Sequence, residues 1–214
     1  MGWTLLVPLL CAVLLSLWQG WTDIGAALLG ALGWLVALAL RVPVAAGAIR
    51  LRDQRNELTV LGAVSGPADE VARLGLVLVG VAGPSGALWA GFGWALAEQV
   101  FTMISAVSQA AQLGRPGVKG RRASELLFLY GGLAGARPWH RVIERVAAFA
   151  FHLGATLLLA TQPWWVLLTA PVHAGWNLAR VRWSRRHLVR VELVAVVTGG
   201  AVLLAGLLVA GLFR

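Results

Sequence analysis

The sequence contains little charge and a single cysteine. Only 13% of its 214 residues are charged, whereas 59% are hydrophobic, and the mean hydropathy is +0.78. A soluble domain of this size has no core that could enclose so much apolar surface. The lone Cys11 excludes an internal disulfide and a cysteine-based metal cluster. The composition therefore predicts an integral membrane protein.

Long apolar runs recur along the chain, and runs of about 18 or more residues are typical of transmembrane helices. We predict an all-α, polytopic transmembrane helix bundle that forms one integral membrane domain over residues 1–214. Residues 41–68 are predicted to be a connection, and residues 123–136 to be an interfacial or re-entrant segment. About seven main spans are predicted, at residues 3–19, 24–40, 69–83, 86–111, 141–160, 164–180 and 191–212.

The positive charges collect between the apolar runs. Sixteen of the 18 lysines and arginines lie in residues 41–57, 115–122, 137–145 and 180–190, and the turns on the opposite side contain none. By the positive-inside rule these four stretches are cytoplasmic, which predicts a multi-pass protein of the cell membrane with its N-terminus inside and its C-terminus outside. Despite the net charge of +9, this pattern indicates a lipid bilayer as partner and no nucleic acid.

Glu98 is the most unusual residue of the predicted spans. It is the only charged residue between Pro84 and Gln112 and lies near the middle of that stretch, in "GFGWALAEQVF". An ionisable side chain at this depth is costly and usually faces the bundle interior or a watery cavity. Glu98 is therefore a candidate functional residue.

Other polar groups have both a structural and a functional interpretation. Asp69, Glu70 and Arg73, in "GPADEVARLGL", could simply begin a helix, because acidic residues favour a first turn. Glu144 and Arg145 could form a solvated ion pair at the cytoplasmic edge.

Two histidines lie deeper in the predicted spans. His152 follows Glu144 by about 12 Å of helix rise and could be a neutral, hydrogen-bonded histidine of the core. His173 and Asn177 share one helix face at i and i+4 and could form a structural pair between helices.

Taken together, these groups point to one site. Four of the predicted spans contribute polar side chains, most of them in the cytoplasmic half. A carboxylate, an imidazole and an amide at a shared depth can form a hydrated pocket that activates water and binds a developing oxyanion.

The order of the motifs resembles that of the YhfC and PrsW-like glutamic-type intramembrane proteases, which look distantly related to the CAAX prenyl proteases. The resemblance spans residues 65–180, which would hold the active-site core. Asp69 stands where the first glutamate is more usual, and Trp94 where phenylalanine precedes the motif glutamate. The matching motifs are Asp69-Glu70-x-x-Arg73, "GFGWALAE" ending at Glu98, Glu144-Arg145 followed by His152, and His173-x-x-x-Asn177.

The resemblance implies a peptidase that acts on membrane proteins or membrane-associated peptides. Glu70, together with Glu98, would be the general base for a water molecule, and His152 would orient that water. His173 and Asn177 would donate hydrogen bonds to the oxyanion. The supporting residues would be Asp69, Arg73, Glu144 and Arg145.

Three alternatives remain open. No cofactor is expected, although two histidines and several carboxylates are also suited to zinc. The same polar groups could build a non-catalytic membrane scaffold or a binding site for a small solute. Finally, His152 and His173 could ligate a haem from both sides.

Overall fold

The computed structural model describes residues 2–19, 22–51, 53–129, 137–184 and 186–212. Within these ranges the chain is helical and contains no β-strand, which confirms the all-α prediction. Short 3-10 helices at Gly2–Leu5 and Pro163–Trp165 precede α1 and α7. The α-helices are α1 Leu6–Gln19, α2 Ile24–Ala48, α3 Gln54–Gly80, α4 Gly83–Ala110, α5 Val118–Leu129, α6 Pro138–Thr161, α7 Val166–Trp183 and α8 Leu188–Val209.

Local sequence signals account for several helix starts. The Asp23 carboxylate accepts a hydrogen bond from the Ala26 amide at 2.8 Å before α2. Asp53 accepts one from the Arg55 amide at 3.0 Å before α3. Such N-caps satisfy amides that have no partner inside the helix. A proline in the first turn begins α4 and α6, where its fixed φ suits a helix and no amide is lost.

The predicted connection at residues 41–68 is wrong. Helix α2 continues to Ala48 and α3 begins at Gln54, so the link between them is short. Pro43 and Pro67 lie inside these helices without ending them. Neighbouring helices can offset the backbone hydrogen bond that a proline removes. Glu70 consequently lies deep inside α3, and the interpretation of its motif as a helix start is also wrong.

Three helices, α2, α6 and α8, are long and apolar enough to cross a membrane by their length and composition. All seven predicted spans overlap helices, but seven spans are not supported by this criterion. Helix α1 is short, α3 carries several charged residues, α7 carries two arginines besides His173 and Asn177, and α4 contains many glycines and small polar residues. The long apolar helices indicate a membrane protein.

Helix α5 covers the first half of the predicted segment 123–136 and begins earlier than expected, at Val118. Residues 130–136 lie outside the described residues. The 12 described residues of α5 rise about 18 Å, whereas a hydrocarbon core is about 30 Å thick. An ion pair between Arg122 and Glu57 attaches α5 to α3.

The bundle places α4 between α2 and α6, α3 between α2 and α7, and α8 along α6. Glycines allow the closest approaches. A Cβ at Gly93 on α4 would lie 1.8 Å from the carbonyl oxygen of Ala27 on α2. A Cβ at Gly66 on α3 would lie 2.4 Å from the amide nitrogen of Ala174 on α7. Small residues of this kind let transmembrane helices pack backbone to backbone.

Some charges that we counted as cytoplasmic loop charges belong to the helix bundle. Arg41 lies inside α2 and pairs with Asp69 of α3. Arg145 lies inside α6, and Arg180 inside α7, and both contact Glu144. These arginines therefore contribute to helix packing as well as to the charge asymmetry, and the orientation of the termini remains a prediction.

Candidate functional site

A network of buried charged and imidazole side chains joins α3, α4, α6 and α7. Four of the five residues that the motifs nominated as catalytic belong to it. These are Glu70 on α3, Glu98 on α4, His152 on α6 and His173 on α7. Side chains that are distant in sequence thus meet where four helices adjoin.

Glu70 and Arg73 form the fully buried end of the network. Both side chains are 0% exposed, and Oε2 of Glu70 lies 3.3 Å from Nε of Arg73. The spacing of three residues puts them on one face of α3. The other carboxylate oxygen, Oε1, lies 3.0 Å from Nδ1 of His173. Both oxygens of Glu70 are therefore enclosed by protein groups.

Arg73 connects α3 to α6. Its Nη1 donates to Oγ1 of Thr156 at 2.8 Å and to the backbone oxygen of His152 at 3.3 Å. Its Nη2 lies 2.8 Å from Nδ1 of His152. The guanidinium also lies over the Trp94 ring, with Cζ 4.2 Å from the ring centroid.

These contacts fix the tautomer of His152. An arginine N–H can only donate, so Nδ1 of His152 must accept from Arg73. The imidazole proton is then on Nε2, which lies 3.0 Å from Oε2 of Glu98. His152 therefore donates a hydrogen bond to the Glu98 carboxylate.

Glu98 is the most exposed carboxylate of the network. Its side chain is 21% exposed, whereas those of Asp69, Glu70 and Glu144 are 3%, 0% and 9% exposed. Its second oxygen, Oε1, lies 3.6 Å from Nη1 of Arg145. Glu98 is thus the carboxylate of the network with the largest exposed fraction.

Glu144 and Arg145 are buried, so their interpretation as a solvated surface pair is wrong. Nη2 of Arg145 donates to Oε1 of Glu144 at 3.1 Å. Nη2 of Arg180 lies 2.7 Å from the same oxygen. This cluster holds Arg145 beside Glu98 and extends the network to the partly exposed Arg180.

His173 lies between two carboxylates. Its Nδ1 faces Glu70, and its Nε2 is 3.8 Å from Oδ2 of Asp69, which is beyond hydrogen-bonding distance. Asp69 is itself paired with Arg41. Asp69 therefore links the site to α2, a helix that none of the motifs included.

Asn177 lies on the same α3–α7 interface but has a different partner. Its Nδ2 donates to Oγ of Ser65 at 2.8 Å, and Ser65 donates to the Gly62 carbonyl oxygen at 3.2 Å. Within the described part of the chain, Asn177 makes no hydrogen bond to the other four nominated residues. Its place in the reaction remains a prediction.

Sequence reasoning missed several members of the network. Thr156 follows His152 by four residues and shares its helix face, so helical spacing could have identified it. Ser65 begins the matched region, but its contact with Asn177 was not predicted. Arg41 gave no usable signal, because its charge fitted the expected pattern of a cytoplasmic loop.

The arrangement of the side chains that could bind a metal ion or a haem bears on the cofactor predictions. Among the described residues, no group of three or more His, Cys, Asp or Glu side chains is arranged to hold a metal ion. Both ring nitrogens of His152 are engaged, by Arg73 and by Glu98. Haem ligation would require His152 to leave both partners. The expectation of metal-free chemistry remains a prediction.

Comparison with known proteins assigns neither a family nor a function to this chain. No protein-family model, curated protein or solved structure matches this chain. The resemblance to the YhfC and PrsW-like proteases therefore remains a prediction from the four motifs. A function for the chain has to come from the geometry of its site, because a fold alone does not determine function.

Proposed function

We propose that the protein is an intramembrane peptidase in which Glu98 activates a water molecule. The observation that carries the proposal is the environment of Glu98. This carboxylate is partly exposed, one of its oxygens lies 3.0 Å from Nε2 of His152, and the other lies 3.6 Å from Arg145. An accessible carboxylate with a fixed position can accept a proton from a water molecule that lies within hydrogen-bonding distance.

The reaction would proceed in two steps. Glu98 accepts a proton from water as the water oxygen bonds to the peptide carbonyl carbon, which produces a tetrahedral oxyanion. The protonated Glu98 then gives that proton to the leaving nitrogen as the carbon–nitrogen bond breaks. The carboxylate is regenerated, so the cycle needs no other reactant.

This assignment moves the general base from Glu70 to Glu98. Glu70 is fully enclosed by Arg73 and His173, so its proposed role is to orient His173. The Nδ1 proton of His173 faces Glu70, and His173 can donate to the oxyanion through Nε2 only as an imidazolium. Asn177 would supply a second donor from the same helix.

The proposal also includes the number of membrane spans and the orientation of the termini. Seven spans with a cytoplasmic N-terminus would place the network in the cytoplasmic half of the bilayer. This is supported by the overlap of all seven predicted spans with helices and by the distribution of basic residues. The substrates would then be membrane proteins or membrane-associated peptides.

A non-catalytic scaffold or a small-solute binding protein is the alternative. It is favoured by the charge pairing in the network, where Asp69, Glu70, Glu98 and Glu144 each have an arginine neighbour. A polar core paired in this way can hold helices together without performing chemistry.

Co-expression with candidate membrane substrates tests the proposal. Glu98→Gln keeps the shape and the hydrogen-bond acceptor but loses the basicity, and removal of a general base typically costs about 10²–10⁴ in rate. Glu125→Gln is the matched control, because Glu125 is exposed on α5. Undiminished cleavage by Glu98→Gln would contradict the assignment of Glu98. The absence of cleavage by the wild type across the substrates would favour the scaffold.

A further inference from the structure

Trp94 lies one turn before Glu98 on α4 and contacts the most enclosed part of the network. Its side chain is fully buried, as is that of Arg73. The Arg73 guanidinium lies over its ring, with Cζ 4.2 Å from the ring centroid. A cation over an indole face is attracted by the ring, and the attraction is strongest when water is excluded.

The indole supports Arg73 without using any of its hydrogen-bond donors. An indole has one donor and no acceptor, so the guanidinium N–H groups remain available for other partners. At the edge of the guanidinium, Thr156 is hydrogen-bonded at Nη1 and His152 at Nη2, and Glu70 forms an ion pair at Nε. Trp94 restrains the face of the guanidinium and the polar partners restrain its edge.

Trp94 is itself confined by α2. A Cβ at Gly33 would lie 3.0 Å from Cζ3 and 3.3 Å from Cε3 of the Trp94 ring. The backbone of α2 at Gly33 therefore lies close to the benzene part of the indole, which limits how far the ring can shift.

We propose that Trp94 is a positioning residue that sets the tautomer of His152 through Arg73. With Arg73 held in place, Nδ1 of His152 accepts a hydrogen bond and the imidazole proton lies on Nε2, facing Glu98. Without the indole the guanidinium can tilt away from Nδ1. His152 can then take the other tautomer, which presents a lone pair to the Glu98 carboxylate and loses the hydrogen bond.

The tautomer does not depend on any reaction. In the other tautomer of His152, the Glu98 carboxylate loses a hydrogen-bond donor. Only the effect of that loss on catalysis rests on the proposed function. A measurement of the tautomer therefore tests the role of Trp94 even if the protein cleaves no peptide.

Nitrogen-15 NMR of histidine-labelled protein in lipid nanodiscs distinguishes a protonated from an unprotonated ring nitrogen. The chain has four histidines, and the signals of His152 are those lost in His152→Gln. In the wild type we expect an unprotonated Nδ1 and a protonated Nε2. In Trp94→Leu we expect the ratio of the two tautomers to fall about thirtyfold, the change that corresponds to a desolvated cation–π contact. Trp94→Phe, which retains an aromatic face, should restore most of the ratio.

Trp89→Leu is the matched control, because Trp89 is also buried on α4 but contacts Phe92. This variant loses the same volume and should leave the tautomer unchanged. Thr156→Val removes a hydrogen-bond partner of Arg73 without creating a large cavity. If Trp94→Leu does not fold, this variant provides a second test of whether the position of Arg73 sets the tautomer of His152.

Two results would overturn the inference. One is a wild-type His152 with its proton on Nδ1, or on both nitrogens. The other is an unchanged tautomer ratio in a folded Trp94→Leu, or in Thr156→Val where Trp94→Leu does not fold. A correct tautomer response in a protein that cleaves no substrate would leave the inference standing and count against the proposed peptidase.

Discussion

Oε1 of Glu70 lies 3.0 Å from Nδ1 of His173, although the two residues are 103 positions apart in the sequence. The contact depends on the close approach of α3 and α7 one turn earlier. There, Gly66 lies against the backbone of His173 and Ala174. The absence of a side chain at Gly66 therefore brings the carboxylate and the imidazole into contact.

The first prediction concerns Gly66. Gly66→Ala would place a Cβ 2.4 Å from the Ala174 amide nitrogen, a backbone atom that cannot rotate away. We expect a loss of about 1–3 kcal/mol or more in the free energy of unfolding, measured in detergent or nanodiscs. The matched control is Gly75→Ala on the same helix, which has no atom within 4 Å of the added Cβ and should be neutral or up to about 1 kcal/mol stabilising. Equal stabilities of the two variants would contradict this packing.

The second prediction separates the two central glutamates by stability. Glu70→Gln removes the charge that balances the fully buried Arg73, and breaking a buried pair typically costs about 3–5 kcal/mol. Glu98→Gln should cost clearly less, since Glu98 is partly exposed. Unfolding titrations of both variants measure the difference.

A double variant provides the control for Glu70. Arg73→Met in the Glu70→Gln background removes the unpaired charge and should recover part of the lost stability. If the single variant Glu70→Gln is as stable as the wild type, Arg73 has another counter-charge and the ion pair is not the main contact.

The sequence predicted the helical class and nominated four residues that meet in one polar network, because charges are rare and costly in so apolar a chain. A chain with so few charges has to form helices in a bilayer, where every backbone amide needs an internal partner. Glu98 was identifiable because a single carboxylate within a long apolar stretch is unusual and costly if that stretch lies in a membrane. Its contact with His152 could not be predicted, because it depends on how α4 and α6 pack.

The errors came from interpreting charged residues as local signals. Asp69 and Glu70 were interpreted as a possible first turn of a helix, yet both lie well inside α3. Arg41 was interpreted as a loop charge, although it pairs with Asp69 in the bundle. In each case a tertiary contact outweighed the local preference.

The third prediction is a coupling between Arg41 and Asp69. Asp69 is 3% exposed and its charged partner lies on another helix, so each of Arg41→Gln and Asp69→Asn should lower stability. The double variant should lose less than the sum of the single losses, with a coupling energy of about 0.5–3 kcal/mol. Chemical unfolding of the four proteins gives this value. Additive losses would mean that the pair does not interact in the folded protein.

The fourth prediction concerns orientation. A reporter that is active only in the cytoplasm should be silent when fused after Arg214 and active when fused within residues 115–122, because the basic stretches are predicted to be cytoplasmic. A reporter that is active only outside should give the opposite result. Cytoplasmic activity at both positions would contradict a seven-span topology and would favour an additional span at residues 123–136.

The last prediction tests whether Asn177 takes part in the reaction. Ser65 donates to the Gly62 carbonyl oxygen, so its oxygen accepts from Nδ2 of Asn177 and fixes the orientation of the amide. If Asn177 stabilises the oxyanion, Asn177→Ala should lower kcat by about 10²–10³, the usual cost of losing such a donor. Ser65→Ala leaves the donor in place but frees its orientation, so we expect a smaller loss. Thermal unfolding of both variants controls for stability, because each loses the same hydrogen bond between α3 and α7. Equal losses of kcat in the two variants, at equal stability, would indicate that the amide acts only through helix packing.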